Sequence, residues 1–281
     1  MRIAVAGKGG TGKSFIAAAL AKLYAMNAAN DEYNSYSGQN LPSGLRPSAG
    51  INAAKGLVYA VDAEPGGGLG AALGLSQSDI EAVKPICEMR DFIETREDDG
   101  ALYLTGPGAA DADGQFDTVT EGVHYLRMAG VKKAGSGCYC DEYGFLRALL
   151  ASLALGEKDT LILDMGAGYE HFTRGAIKGT DILLIVSEST RVCIENAKNM
   201  RQLGAGLGVR HIYIAANKIR SEREELLIRA NFRRGEIIGL IRFSETVANH
   251  AIGVGAGSAR QTLSPGADME ELFYRLRSVK I

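Results

Sequence analysis

The sequence contains little of what marks secreted, fibrous or membrane proteins. It has no tryptophan, 6 prolines and 4 cysteines in 281 residues. So few cysteines cannot form a disulfide scaffold for a chain of this length, and the low proline content without a Gly-X-Y period excludes a collagen. We find neither an apolar run long enough to span a bilayer nor a signal-peptide pattern at the N-terminus. We therefore expect a cytoplasmic protein with no stable membrane association.

An excess of charge of either sign is also lacking. The chain has 31 Lys and Arg against 33 Asp and Glu, a formal net charge of -2. Because a dedicated duplex-DNA binder normally carries a basic excess, we expect no nucleic-acid partner. What the chain does have is 46% hydrophobic residues and 36 glycines. The hydrophobic residues can form a substantial core, and the clustering of the glycines indicates loops that approach a ligand closely.

Short apolar runs alternate with helical patterns along the chain. The apolar runs lie at 3–6, 57–61, 160–163, 182–186, 212–216 and 237–241. Since they are apolar throughout rather than at alternate positions, each predicts a strand buried on both faces of a parallel sheet. Helical patterns fall at 14–26, 145–155, 192–203, 222–230 and 269–281. The alternation predicts an α/β fold with a doubly wound, mostly parallel sheet.

One polar stretch does not fit this alternation. We predict a single domain over residues 1–281 with an insertion at about 27–56, which is rich in Asn, Ser, Gly and Pro. A connection of this length is unusual inside a compact domain. Its composition favours a mobile loop over an ordered functional insertion, and both interpretations stay open.

A complete phosphate-binding motif follows the first predicted strand. Residues 7–14 read Gly-Lys-Gly-Gly-Thr-Gly-Lys-Ser and match G-x-x-x-x-G-K-[ST] between a strand and a helix. Backbone N–H groups and the helix N-terminus are expected to face the phosphates, Lys13 to reach the β and γ phosphates, and Ser14 to bind Mg²⁺. The predicted nucleotide-binding residues here are Gly9, Gly10, Thr11, Gly12, Lys13, Ser14 and Phe15. The expected cofactors are a nucleoside triphosphate and Mg²⁺.

Acidic residues follow two of the other predicted strands. Asp62 and Glu64 come directly after the second strand, where ligands bind in sheets of this kind. Asp164 ends the apolar run 161–163 in a Walker B pattern, so we expect it to hold Mg²⁺ through water. Asp62 and Glu64 are both candidates for the nucleotide site, and the alternative is that one of the two is only a loop cap.

The end of a later strand bears on the choice of base. Asn217 and Lys218 follow the run 212–216, where an Asn side chain can bind a base edge. GTPases use N-K-x-D, whose Asp pairs with guanine, but the residue two after Lys218 is Arg220. This difference favours adenine, and therefore ATP. Residues 242–244 either complete the base pocket or form an ordinary loop.

Two closely spaced cysteines suggest a soft metal ion. Cys138 and Cys140 can point to one side of an extended or turn segment. Two thiolates are too few for a closed tetrahedral site, and the remaining cysteines, Cys87 and Cys193, lie in segments that read as helical. A two-fold axis that brings together both pairs would supply four thiolates. The alternative is that the two cysteines are small buried residues without a metal.

Several motifs together resemble one family. Residues 7–14, 61–65, 138–140 and 163–171 carry the likeness, which covers most of the chain except the insertion and 106–122. The chain resembles the deviant Walker A (SIMIBI) type of P-loop NTPase, with MinD, ParA and the nitrogenase iron protein. Within that group it resembles the CooC-type nickel-insertion ATPases of carbon monoxide dehydrogenase and acetyl-CoA synthase.

The resemblance implies a slow ATPase that sandwiches ATP in a homodimer, with Lys8 reaching the partner's phosphates. The catalytic residues that it implies are Lys8, Lys13, Asp62, Glu64 and Asp164. It also implies that Cys138 and Cys140 of both subunits bind Ni²⁺, or Zn²⁺ in its place, for delivery to a nickel enzyme. The chain departs from the family at Glu64, where Asp is commoner, at Gly166, where an acid is common, and in the insertion.

Two other functions compete with nickel insertion. A positioning switch like MinD or ParA would need a strongly amphipathic tail or a basic surface, and neither stands out. An electron-donating iron protein would need a cysteine shortly after the Walker B acid, and residues 164–171 contain none. In the same segment, Glu170 and His171 either bind metal transiently or belong to an ordinary helix start, which is the interpretation we favour.

Overall fold

The computed structural model describes residues 1–36, 56–64, 66, 68–89, 117–130, 146, 155–251 and 266–281. Eight strands form one sheet. They are β1 (Arg2–Gly7), β2 (Val58–Asp62), β3 (Thr118–Thr120), β4 (Val123–Arg127), β5 (Thr160–Asp164), β6 (Ile182–Ser187), β7 (His211–Ile219) and β8 (Ile237–Arg242). The helices are α1 (Lys13–Tyr36), α2 (Gly68–Ala72), α3 (Gln77–Ala82), α4 (Glu170–Thr173), α5 (Arg191–Gly206), α6 (Glu222–Asn231), α7 (Glu245–Ala251) and α8 (Ala267–Arg277), with a 3₁₀ turn at Ile86–Met89.

The strands lie in the order β3-β4-β2-β5-β1-β6-β7-β8, so β1 is central. Strands β3 and β4 pair antiparallel, and the other six pairings are parallel. Parallel neighbours require a crossover between them, which the intervening helices supply. The carboxyl ends of seven strands therefore meet at one edge of the sheet, and this edge carries the candidate site.

Helices cover both faces of the sheet. On one face, α1, α2 and α8 pack over a core that includes Ile16, Leu20, Leu69 and Phe273. On the other face, α4, α5 and α6 pack over a core that includes Phe172, Ile194, Met200 and Ile228. Successive residues of β1 serve opposite cores, which is why its run is apolar at every position. The three-layer α/β architecture predicted from the apolar runs is confirmed.

Several elements differ from the sequence prediction. All six predicted strands form, but the hairpin of β3 and β4 was not predicted. Helix α1 continues ten residues beyond the predicted end at Met26, into the segment assigned to the insertion. The rest of the insertion, most of the helix predicted at 145–155, and both Cys138 and Cys140 lie outside the described residues. Over the described part of the chain, we find no helix with the length and apolarity to cross a membrane.

We predict that Phe273→Ala destabilises the protein by about 3–5 kcal/mol, because truncation of a fully buried aromatic leaves a cavity. The Phe273 side chain has no exposed surface and meets Tyr24 edge to face, with ring centroids 4.8 Å apart. Its neighbour on α8, Tyr274, is 60% exposed. Tyr274→Ala should therefore cost less than about 1 kcal/mol. Urea denaturation of both variants tests the difference, and similar losses would contradict the packing described for α8.

Candidate nucleotide-binding site

The phosphate loop joins β1 to α1 at the carboxyl edge of the sheet. Gly10 and Gly12 have φ angles of 82° and 91°, in the left-handed region that glycine adopts without strain. The turn is closed by Thr11, whose hydroxyl donates to the Lys8 carbonyl oxygen over 2.8 Å. Lys13 is buried, whereas Lys8 is exposed at the front of the loop. The two lysines thus lie in different environments, and the contact of Lys8 with a partner's phosphates stays a prediction.

Asp62 and Asp164 end adjacent strands in register, so their carboxyl groups lie side by side. The oxygens of Asp62 accept from the backbone N–H groups of Glu64 and Leu69, both over 3.1 Å. Asp62 therefore caps the loop that follows β2, because its side chain binds the backbone of that loop. Burial, and then the charge of Asp164, raise the pKa of Asp62 to about 7. The Glu64 side chain is partly exposed beyond this cap.

Asp164 is fully buried, and neither carboxylate oxygen has a hydrogen-bond partner among the described residues. Burial raises its pKa to about 6, while the nearby Ser14 hydroxyl and Lys13 ammonium act in the opposite direction. Buried carboxylate oxygens without partners are costly unless a cation completes them. Oxygen is also the ligand atom that Mg²⁺ prefers. The pair of Asp164 and Ser14 therefore fits Mg²⁺, as the Walker B and phosphate-loop motifs predict.

Asn217 and Lys218, predicted to contact the base, both bind the phosphate loop in this structure. Asn217 Nδ2 donates to the Thr11 carbonyl oxygen over 2.8 Å, and Lys218 Nζ donates to that of Gly10 over 2.6 Å. A Cβ at Gly12 would lie 2.4 Å from Asn217 Nδ2, so this glycine also makes room for the amide. A contact between either side chain and a base stays a prediction.

Residues after β8 line a separate cavity of about 1130 Å³. The Arg220 guanidinium lies 3.7 Å from the centroid of the Phe243 ring, a close cation–π contact. Arg242 donates its backbone N–H to Asp268 Oδ2 over 2.8 Å. These contacts order the segment 242–244, whose part in a base pocket stays a prediction.

The segment after β5 contacts the phosphate loop from the other side. The Cβ of Ala167 lies 3.6 Å from the place that a Cβ at Gly9 would take. Gly168, between this contact and α4, has φ 112°, a backbone angle that glycine adopts without strain. On α4, Glu170 is exposed in the first turn, where a negative charge is favourable. This placement agrees with the ordinary helix start that we favoured for it.

His171 is 1% exposed, and its Nε2 has no hydrogen-bond partner among the described residues. Burial, and then the positive charge of Lys13, lower its pKa to about 4. The imidazole is therefore neutral at neutral pH. Its ring lies against that of Phe172, with centroids 4.5 Å apart. The described surroundings of His171 are thus those of a core side chain.

No cluster of three or more metal-ligating side chains is found in the part of the chain that the structure describes. Cys193 is buried, whereas Cys87 is partly exposed. Because Cys138 and Cys140 lie outside the described residues, the metal site that they are predicted to form stays a prediction.

Comparison with known proteins identifies the family, although no protein-family model matches the chain. The carbon monoxide dehydrogenase accessory protein CooC of Rhodospirillum rubrum is 32% identical over 251 residues, which are 88% of this chain and 85% of that protein. The chain belongs to the CooC family. A second relative, an uncharacterized ATP-binding protein of Methanocaldococcus jannaschii, is 31% identical over 254 residues, which are 88% of this chain and 87% of that protein.

Solved structures agree on the fold of this CooC family member. MinD of Pyrococcus horikoshii, a septum site-determining protein complexed with Mg-ADP, superposes with a TM-score of 0.59 at 15% identity. The match covers 99% of this chain and 96% of MinD. At this identity the likeness establishes the fold alone, and it confirms the predicted α/β fold with a mostly parallel sheet.

One polar residue of this edge was missed in the sequence. Glu188 follows β6 directly and accepts a hydrogen bond from Lys218 Nζ over 2.7 Å. The sequence signal is weaker than at Asp62 and Asp164, because Ser187 separates Glu188 from the apolar run 182–186. Glu188 escaped attention because its partner is 30 residues away in the chain.

We predict that Asp62 and Asp164 make the nucleotide-free protein less stable as the pH rises, and that His171, whose pKa is lowered to about 4, partly opposes this fall below about pH 6.5. Asp164 and Asp62 have folded-state pKa values of about 6 and 7, above the ordinary value of about 4. The folded state therefore holds more protons than the unfolded state between these values, so stability is present at low pH and is lost as the pH rises through them. Urea denaturation in EDTA between pH 5 and 8 should show this slope.

Asp164→Asn should flatten that slope, since it removes one titrating group and the charge that raises the pKa of the other. Relative to wild type, the variant should gain stability at pH 8 rather than at pH 5. Glu222→Gln, which alters an exposed carboxylate, is the control and should follow the wild-type curve. An unchanged slope in Asp164→Asn would contradict the raised pKa that burial gives the Asp164 carboxyl.

Proposed function

We propose that this CooC family member is an ATP-dependent metallochaperone. It hydrolyses ATP slowly, as a homodimer, and carries Ni²⁺ or Zn²⁺ on Cys138 and Cys140 of both subunits. Its role is to help insert nickel into the cluster of a carbon monoxide dehydrogenase or an acetyl-CoA synthase. The observation that carries the proposal is the identity of 32% with a carbon monoxide dehydrogenase accessory protein over 88% of the chain. The C-x-C pair in the sequence supports it.

The described residues support the nucleotide part of this function. Ser14 and Asp164 would hold Mg²⁺, which when bound neutralises charge on the phosphates. Lys13 lies buried beside them and binds the β and γ phosphates of the same chain. Glu64 is placed beyond the Asp62 cap, where it orients the attacking water. The Glu64 side chain is one methylene longer than the Asp that is commoner in the family. Because the side chain is partly exposed, this extra length is tolerated.

Lys8 would supply a positive charge near the γ-phosphate of the nucleotide bound to the partner subunit. Its side chain is exposed at the front of the loop, while the loop turn beneath it is closed by Thr11. A cation that reaches the partner's γ-phosphate stabilises the transition state as an arginine finger does. Hydrolysis would thus require two subunits, and ATP binding would favour the dimer.

We predict that Lys8→Ala lowers the ATP hydrolysis rate on the order of 10³-fold, the lower end of the effect of a trans cation. Binding of ATP to a single subunit should be nearly unchanged, because Lys13 and the loop remain. Steady-state hydrolysis and calorimetric titration measure the two quantities. Lys178→Ala removes an exposed lysine elsewhere and should leave both unchanged. Equal losses of binding and hydrolysis would contradict a role in trans.

We predict about one divalent ion per dimer, since four thiolates complete one tetrahedral site. Cys138→Ser and Cys140→Ser should each abolish binding. Cys193→Ala, which alters a buried thiol, should retain the ion. Native mass spectrometry with metal analysis, in ADP, in a non-hydrolysable ATP analogue and without nucleotide, measures mass and metal together.

Two outcomes of that experiment would overturn the proposal. Full metal content in both cysteine variants would remove the C-x-C site. A monomer under every condition would remove the shared site and the trans lysine alike. Co-sedimentation with liposomes or DNA in ATP would instead support a positioning switch like MinD or ParA.

A further inference from the structure

Three polar side chains hold the outer side of the phosphate loop. Asn217 and Lys218 come from the end of β7, and Glu188 comes from the end of β6. Asn217 Nδ2 binds the Thr11 carbonyl oxygen over 2.8 Å, and Lys218 Nζ binds that of Gly10 over 2.6 Å. Glu188 Oε1 lies 2.7 Å from the same Lys218 nitrogen. We call these three residues the loop clamp.

The loop clamp determines which way two peptide groups face. In a trans peptide the C=O and N–H groups point in opposite directions. Because Asn217 draws the Thr11 carbonyl outward, the N–H of Gly12 is turned to the inner side of the loop. In the same way, Lys218 holds the carbonyl oxygen of Gly10. The N–H of the same peptide group belongs to Thr11, and it donates to the Lys8 carbonyl oxygen over 3.3 Å. Asn217 thus orients the Gly12 N–H as a donor for phosphate, and Lys218 holds the turn between Lys8 and Thr11 that shapes the loop.

Glu188 is the member that makes Lys218 a fixed donor. A lysine ammonium is a strongly hydrated charge on a flexible stem, and it does not stay on one carbonyl oxygen by itself. The Lys218 and Glu188 side chains are 40% and 27% exposed, so the pair is partly shielded from water. Lys218 also has φ 59°, a left-handed backbone angle that is uncommon outside glycine and aims its side chain back at the loop.

We propose that Glu188 is a positioning residue for the phosphates of the nucleotide. Through Lys218, it holds the phosphate loop in its binding conformation before the nucleotide arrives. The inference rests on the proposed function in that ATP is the ligand. It differs from the expectation that Asn217 and Lys218 serve the base, because the clamp acts on the part of the site that binds phosphates.

Tripolyphosphate distinguishes the two roles, since it has the phosphates of ATP and no base. We expect Glu188→Gln to weaken the binding of Mg-ATP, Mg-ADP and Mg-tripolyphosphate by the same factor, about three- to tenfold. A partly exposed ion pair contributes modestly, and a loop that is competent a tenth of the time binds tenfold more weakly. Calorimetric titration measures the three affinities. In steady-state hydrolysis, the loss should appear as a KM for ATP that rises by the same factor.

Two further variants keep the test specific. Lys218→Met should weaken all three ligands at least as much, and adding Glu188→Gln to it should have no further effect, because Glu188 acts through Lys218. Glu225→Gln breaks an ion pair with Arg229 on α6, away from the loop, and should leave all affinities unchanged. Thermal denaturation confirms that each variant is folded to the same extent as wild type.

Each result decides the inference. A loss confined to ATP and ADP would show a contact with the base or ribose and would overturn it. Unchanged affinities in Glu188→Gln, or additive effects in the double variant, would also overturn it while leaving the proposed function intact. If the wild-type protein binds neither ATP nor tripolyphosphate, the proposed function is wrong as well.

Discussion

Strand β1 pairs in parallel with β5 on one side and β6 on the other, and the geometry of the site depends on this pairing. Parallel neighbours end at the same edge, so the phosphate loop that follows β1 lies between the residues that follow β5 and β6. Asp164 and Glu188 reach the loop from opposite sides for this reason. The next strands outward, β2 and β7, add Asp62 and Asn217 at the same level. A slip in the register would remove all of these contacts together.

Electrostatics divides this edge into two parts. On the β5 side, two buried carboxylates and one buried lysine leave negative charge that protein groups do not complete. On the β6 side, Lys218 and Glu188 neutralise each other against backbone carbonyl oxygens. The first part is arranged for a ligand that brings a cation, and the second is complete before a ligand binds. Under the proposed function, this division would favour a nucleotide that brings Mg²⁺ over free nucleotide.

The elements that the sequence predicted are those whose pattern reflects burial alone. Strands such as β5 and β6 are buried at every residue, so their apolar composition alone predicted them. The β3–β4 hairpin lies at the edge of the sheet and mixes polar with apolar residues, and short runs of that kind carry little signal. Helix α1 extends beyond its apolar pattern, because a helix that is packed over its first turns propagates easily through residues such as Ala28 and Ala29.

The phosphate loop and the Walker B acid were predictable because they are contiguous motifs. The loop clamp was not, since its residues meet only in the folded chain.

Asp164 has a consequence for the life of the protein in the cell. A carboxylate sealed away from water without a partner lowers the free-energy gap between the native state and its locally opened forms. A bound magnesium nucleotide restores that gap by mass action. If the protein binds nucleotide as proposed, the chain without magnesium nucleotide is the form most open to proteases.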